Sequence, residues 1–196
     1  MKKRTFILIL LTSVMIYSLY SCQSGDLKKE ASNESIETKD SLIKRGNYLV
    51  TIGGCNDCHS PKHLGVHGPE IDSLNMLSGF SSNNPIPKFS GVDLKKTGMV
   101  ANEDATAFGG PWGISFAANL TPDETGIGNW SEGQFKNALR HGKYMGLDGS
   151  RTILPPMPWQ NYAQLSDKDI KAVFYYLKSL KPFKNKVPQF VPAAKG

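Results

Sequence analysis

Cysteine is scarce in this 196-residue chain, with three in all. One C-x-x-C pair is present and a second is missing, so the four N/S ligands of a structural zinc site cannot be assembled from paired cysteines. A thioredoxin-like pair would need a βαβ context, and no such alternation of elements is visible. Long apolar runs are lacking too. The run from Phe6 to Tyr20 is short of the roughly 20 residues that cross a bilayer. No basic stretch is interleaved with aromatics, which removes the case for nucleic acid. Paired carboxylates, a Ser/His/Asp set, a phosphate loop and a metal-hydrolase motif are absent, as are internal repeats. The formal charge of +6 says little, because Lys2, Lys3 and Arg4 stand before the apolar run. Without them 20 basic residues face 17 acidic ones.

What is present is Cys55-Asn56-Asp57-Cys58-His59. C-x-x-C-H is the attachment signature of c-type haem. Two intervening residues let both thiols reach vinyl groups along one porphyrin edge. His59 then lies under the ring as a proximal iron ligand. The sequence thus predicts one covalent haem c on Cys55 and Cys58.

The first residues have the layout of an export signal: basic, apolar, then a small residue before Cys22. Leu19-Tyr20-Ser21-Cys22 resembles a bacterial lipoprotein signal, which implies removal of residues 1–21 and lipidation of Cys22. The alternative is an uncleaved anchor helix. Either places the remainder outside the cytoplasm, on the periplasmic side and tethered to a membrane. An acylated Cys22 also accounts for the odd cysteine. Residues 22–40 carry few large apolar side chains and read as a flexible tether.

Leu42, Ile43, Leu49, Val50 and Ile52 give an apolar side to a helix from about Ser41 to Ile52, ended by Gly53-Gly54. Gly46 inside it costs about 1 kcal/mol relative to alanine, which suggests close approach of another element, with Tyr175 or Tyr176 across it. A second helix spans Ser166 to Lys181, on Ile170, Val173, Phe174, Leu177 and Leu180, capped by Ser166-x-x-Asp169 and stopped by Pro182. A third runs from Trp130 to His141, with Ser131 and Gln134 as a capping box and Gly142 as its end. Residues 60–129 hold Gly, Pro, Ser and Asn with little periodicity, so a long wrapping loop with short strands or turns is expected.

Arg45-Gly46-Asn47-Tyr48-Leu49-Val50, Gly53-Gly54-Cys55 and Cys58-His59 resemble the opening of class I c-type cytochromes. Asn119-Leu120-Thr121-Pro122-Asp123, Thr125-Gly126-Ile127-Gly128-Asn129-Trp130 and Pro156-Met157-Pro158-Trp159 resemble one haem domain of the cytochrome c subunits of bacterial membrane-bound alcohol and aldehyde dehydrogenases. The resemblance implies a mainly α cytochrome c fold: N- and C-terminal helices crossing, a third helix and a long haem-wrapping loop. It covers residues 41–190 as one mono-haem domain, with 191–196 a tail. It also implies redox partners, a dehydrogenase or respiratory complex as donor and an oxidase or soluble cytochrome as acceptor.

An electron carrier commonly has methionine as second axial ligand. Met157 has the best physical case, because Pro158 pushes it away from helix and the flanking prolines stiffen its strap. Its alternative is plain gap filling. Met145 is second, with Met76 and Met99 also available. His63, His67 and His141 would serve only a bis-histidine iron. Trp112, Trp130 and Trp159 suit either a porphyrin face or the core. Arg140 suits a propionate or solvent, and Lys62, Lys88, Lys95 and Lys96 suit a docking ring or plain solvation. The sequence therefore predicts a membrane-tethered carrier of single electrons, not an enzyme. The rival readings are a haem peroxidase or oxidase and a gas-binding sensor, each with an open sixth iron position.

Overall fold

The computed structural model describes residues 38–89, 96 and 98–193. The export signal, Cys22, most of the expected tether and Lys95 lie outside the described residues.

Three helices carry the core. Helix α1 (Lys39–Ile52) starts where the Thr38 side chain accepts the Ser41 N–H at 3.2 Å. It therefore begins two residues earlier than the sequence pattern suggests, inside the segment expected to be tether. Its buried residues, Leu42, Gly46, Leu49 and Val50, fall on one face. Gly54, at φ 65, then turns the chain into α2 (Cys55–His59). That left-handed backbone suits glycine, which has no Cβ to clash. Helix α3 (Glu132–His141) has its capping box formed by Ser131 and Gln134, and it buries Phe135, Ala138 and Leu139. After the short α4 (Trp159–Tyr162) comes α5 (Asp167–Ser179), capped by the Ser166 side chain and burying Ile170, Ala172, Val173, Phe174 and Leu177.

Helices α1 and α5 cross at Gly46. A Cβ there would stand 2.6 Å from both the Ala172 carbonyl carbon and the Tyr176 Cβ, so only glycine admits this approach. The expected crossing is present, with Tyr176 and not Tyr175 at the glycine. Around it Val50, Leu77, Ile127, Phe135, Leu139, Ile170, Phe174 and Leu177 form one buried cluster.

The 60–129 connection is richer in strand than a wrapping loop. A hairpin follows α2, with β1 (Lys62–Gly65) antiparallel to β2 (Gly68–Ile71) and Lys62 opposite Ile71. A four-stranded antiparallel sheet has the order β3 (Val100–Ala101), β4 (Ala107–Gly110), β5 (Gly113–Phe116), β6 (Val191–Pro192). The helices thus share the fold with two small sheets, and the mainly α expectation holds for the core alone. The residues assigned to a tail begin as strand β6, Val191 pairing with Ile114. Strands of two to four residues are too short for alternation to reveal, and in β4 two positions are glycines. Those glycines leave room for rings: a Cβ on Gly109 would meet Phe89 at 2.5 Å, and one on Gly110 would meet Trp112. Among the described residues no helix is long and apolar enough to cross a membrane.

Candidate haem-attachment site

Helix α2 presents Cys55 and Cys58 at i and i+3, one above the other on a single turn. Both thiols are free and half-buried. Burial pushes Cys55 up to about 11 and raises Cys58 as well.

His59 is fixed from two directions. Its carbonyl accepts the Gly79 N–H at 2.7 Å, and its Nδ1 lies 2.7 Å from the Ala118 carbonyl. A carbonyl only accepts, so Nδ1 must carry the proton and Nε2 keeps its lone pair. No described residue engages Nε2 through a hydrogen bond. Burial lowers the imidazole pKa, which favours the neutral ring that a metal ligand requires. The carbonyl partner is held in turn. Leu120 N–H bonds the Leu77 carbonyl at 2.8 Å and Phe80 N–H bonds the Ala117 carbonyl at 3.0 Å, joining segments 77–80 and 117–120 beside α2. Ser60, fully buried, accepts the Leu77 N–H at 2.9 Å and donates to Asn56 Oδ1 at 3.0 Å.

Met157 sits on the strap between Pro156 and Pro158. The strap is tied to the sheet by Ser115 Oγ, which donates to the Pro155 carbonyl at 2.6 Å. Met157 is half-buried and packs on the helical core, as do Cys55, Met76, Leu120, Trp130 and Tyr162. The other methionines separate by exposure. Met145 is 44% exposed and Met99 49%. Met76, half-buried, packs on the same core as Met157.

One residue at this site is not exposed by any motif or periodicity. Tyr162, at the end of α4, donates its hydroxyl to the Gly53 carbonyl at 2.5 Å. Its ring edge would be 3.3 Å from a Cβ on Gly53. Burial, and secondarily the two thiols, push its pKa up to about 12. The bond ties the segment after Met157 to the residue two before Cys55. A tyrosine just beyond the proline-flanked methionine is the sole hint in the sequence.

The remaining candidates are drawn elsewhere. His63 lies 3.9 Å from Glu70 on the exposed hairpin, and His67 and His141 are exposed. Arg140 binds the Ala163 carbonyl and, at 2.7 Å, Asp167. Lys62 donates to the carbonyls of Asp57, Ser60 and Asp104 at 2.6, 3.1 and 2.8 Å, so its ammonium secures the turn after the motif. Lys88 and Lys96 are exposed. Trp112 donates to Ser115 Oγ at 3.2 Å, and the Trp159 ring lies over Gly142, 2.5 Å from where a Cβ would be.

This donor set fits a haem. Two thiols share one helical turn, an imidazole has its Nδ1 proton engaged and its Nε2 without a hydrogen-bond partner among the described residues, and a thioether is carried inward on a proline-flanked strap. The motif and this geometry define the class, a c-type cytochrome with haem c as its group.

Within that class, three relatives narrow the kinship. The chain is 32% identical over 163 residues to the gluconate 2-dehydrogenase cytochrome c subunit of Pantoea cypripedii, covering 83% of this chain and 28% of the relative. It is 31% identical over 156 residues to the cytochrome c subunit of the quinone alcohol dehydrogenase of Gluconobacter oxydans, covering 78% and 25%. It is 38% identical over 136 residues to the fructose dehydrogenase cytochrome subunit of Gluconobacter japonicus, covering 69% and 20%. No protein-family model matches the chain. The chain resembles the cytochrome subunits of these dehydrogenases, not catalytic ones. It spans about a quarter of the length of the curated relatives it matches.

Proposed function

We propose that this chain is a membrane-tethered, mono-haem c-type cytochrome that carries single electrons from a dehydrogenase or respiratory complex to a terminal oxidase or soluble cytochrome. The observation that carries the reading is the Cys55–His59 turn with His59 Nδ1 committed to the Ala118 carbonyl. In this reading Cys55 and Cys58 would hold a haem covalently, and His59 Nε2 and Met157 would ligate its iron. When bound, the haem supplies one-electron ferric/ferrous chemistry. The protein holds the imidazole neutral and oriented, and presents the thioether of Met157 packed on the helical core. With His59 and Met157 both ligating, small molecules would be kept off the iron, which would separate a carrier from a peroxidase, oxidase or gas sensor.

The single C-x-x-C-H supports one haem for this chain. The lipoprotein-like Cys22 supports a lipid anchor on the periplasmic side, with residues before α1 as the tether. The relatives' names, each a dehydrogenase subunit, support a dehydrogenase as electron donor.

The test is optical. The ferric protein is expected to show the weak far-red band of sulfur–iron ligation, and the ferrous protein to bind carbon monoxide slowly. Met157→Ala should abolish the band and Met76→Ala should leave it. Rapid carbon monoxide binding by the native ferrous protein would overturn the carrier reading. A band lost in Met76→Ala but kept in Met157→Ala would move the ligand to Met76.

A further inference from the structure

We infer that Tyr162 is a positioning residue that controls how firmly the Met157 strap is held toward the haem-attachment turn, an inference that rests on the ligand reading above. The strap has two ends with different anchors. On its N-terminal side Ser115 Oγ holds the Pro155 carbonyl at 2.6 Å. On its C-terminal side the chain enters α4 at Trp159, with Asn161 N–H on the Pro158 carbonyl and Trp159 N–H on the Met157 carbonyl, both 2.9 Å. Those two bonds are local and fix only the shape of the turn. The bond that ties it to the attachment turn is the Tyr162 hydroxyl on the Gly53 carbonyl at 2.5 Å, between residues 109 apart in sequence.

Gly53 is the C-cap of α1 and its own N–H is spent on the Leu49 carbonyl at 2.8 Å. Its carbonyl lies two residues before Cys55, just ahead of the left-handed Gly54 that starts α2. Motion of the strap away from the attachment turn must break this bond or drag the end of α1 along. The phenol ring adds shape to the bond, since it rests beside Gly53 in the space a side chain there would need. Tyr162 is half-buried and packs on the same core as Met157 and Cys55, so replacing its hydroxyl leaves a carbonyl with reduced access to water. Phenylalanine keeps the ring and its packing while removing the polar link to the attachment turn, and leaves Ser115 on the Pro155 carbonyl and Arg140 on the Ala163 carbonyl.

The experiment compares native holoprotein with Tyr162→Phe, reading three quantities: the far-red band of the ferric form, ferric affinity for imidazole as a competitor for the methionine position, and thermal melting. The expected result is a weakened band and imidazole binding tightened about fivefold, the factor that one net hydrogen bond carries. Melting should fall in Tyr162→Phe, whereas Ser179→Ala, which removes an exposed hydroxyl bond to the Tyr176 carbonyl within α5, should leave imidazole affinity native. Unchanged band and imidazole affinity in Tyr162→Phe, beside a native protein that shows the band, would overturn the inference alone. Equal tightening in Ser179→Ala would also overturn it, as a general loosening. A native protein without the band would overturn the ligand reading and this inference together.

Discussion

Helices α1 and α5 meet through apolar side chains at helical spacing, Leu42, Leu49 and Val50 against Ile170, Val173 and Leu177. Segments 78–82, 119–125 and 183–185 meet instead through buried polar side chains. Asn185 donates to the Ser78 and Phe80 carbonyls at 2.7 and 2.9 Å and accepts the Ser82 N–H at 2.9 Å. Asn119 donates to the Phe183 carbonyl at 2.9 Å and accepts from Thr121 N–H at 2.9 Å. The helical frame is thus held mainly by area removed from water. The connection is held by satisfied backbone groups, each costly if left without its partner. His59 stands between the two: its helical turn follows α1, its carbonyl accepts the Gly79 N–H of the second, and its Nδ1 bonds the neighbouring Ala118 carbonyl.

The contrast can be broken most forcefully in the frame. Leu177→Ala, at a position 1% exposed, should cost about 3 kcal/mol and lower the melting temperature of the holoprotein accordingly. The next effect lies in the connection. Asn185→Ala strands two carbonyls and an N–H, and should cost about 2–3 kcal/mol. Its signature differs, since hydrogen exchange should quicken around residues 78–82 while α1 and α5 stay protected. Uniform quickening across the helices would show that the two regions do not fail separately.

Smaller still is Ser115→Ala, which removes the donor to Pro155 and should cost about 1 kcal/mol in a thermal melt. The smallest is Arg45→Ala, at the exposed pair of Arg45 Nε and Asp169 at 2.8 Å. The Arg45 hydrogen bond holds the Asp169 carboxyl below the usual carboxylate range. That contribution is present above the ordinary carboxylate pKa and fades as pH falls through the lowered folded value. The gap in melting temperature between native and Arg45→Ala should therefore narrow on acidification. A gap that widens toward low pH would contradict the assignment.

The same contrast explains what the sequence displays. Helices α1, α3 and α5 are legible because burial repeats every three to four residues and Ser131, Ser166 and Gly142 mark ends. Gly46 as a crossing point is legible for a related reason, an unfavourable residue kept inside a good helix. The stitches of Asn119, Asn185 and Ser60 are not, since each joins partners that no period relates. Strands β3 and β6, two residues each, carry no pattern to read. Of the proposed site residues, Cys55, Cys58 and His59 are suggested by spacing and Met157 by its prolines. Tyr162 is not, because its partner is a backbone carbonyl 109 residues away.

The most direct measurement of the central claim is the intact mass of the purified polypeptide after acid–acetone extraction. The expected result is one haem still attached, lost when Cys55 and Cys58 are both replaced by alanine. Pigment released into the acetone, with a polypeptide of unmodified mass at Cys55 and Cys58, would contradict it.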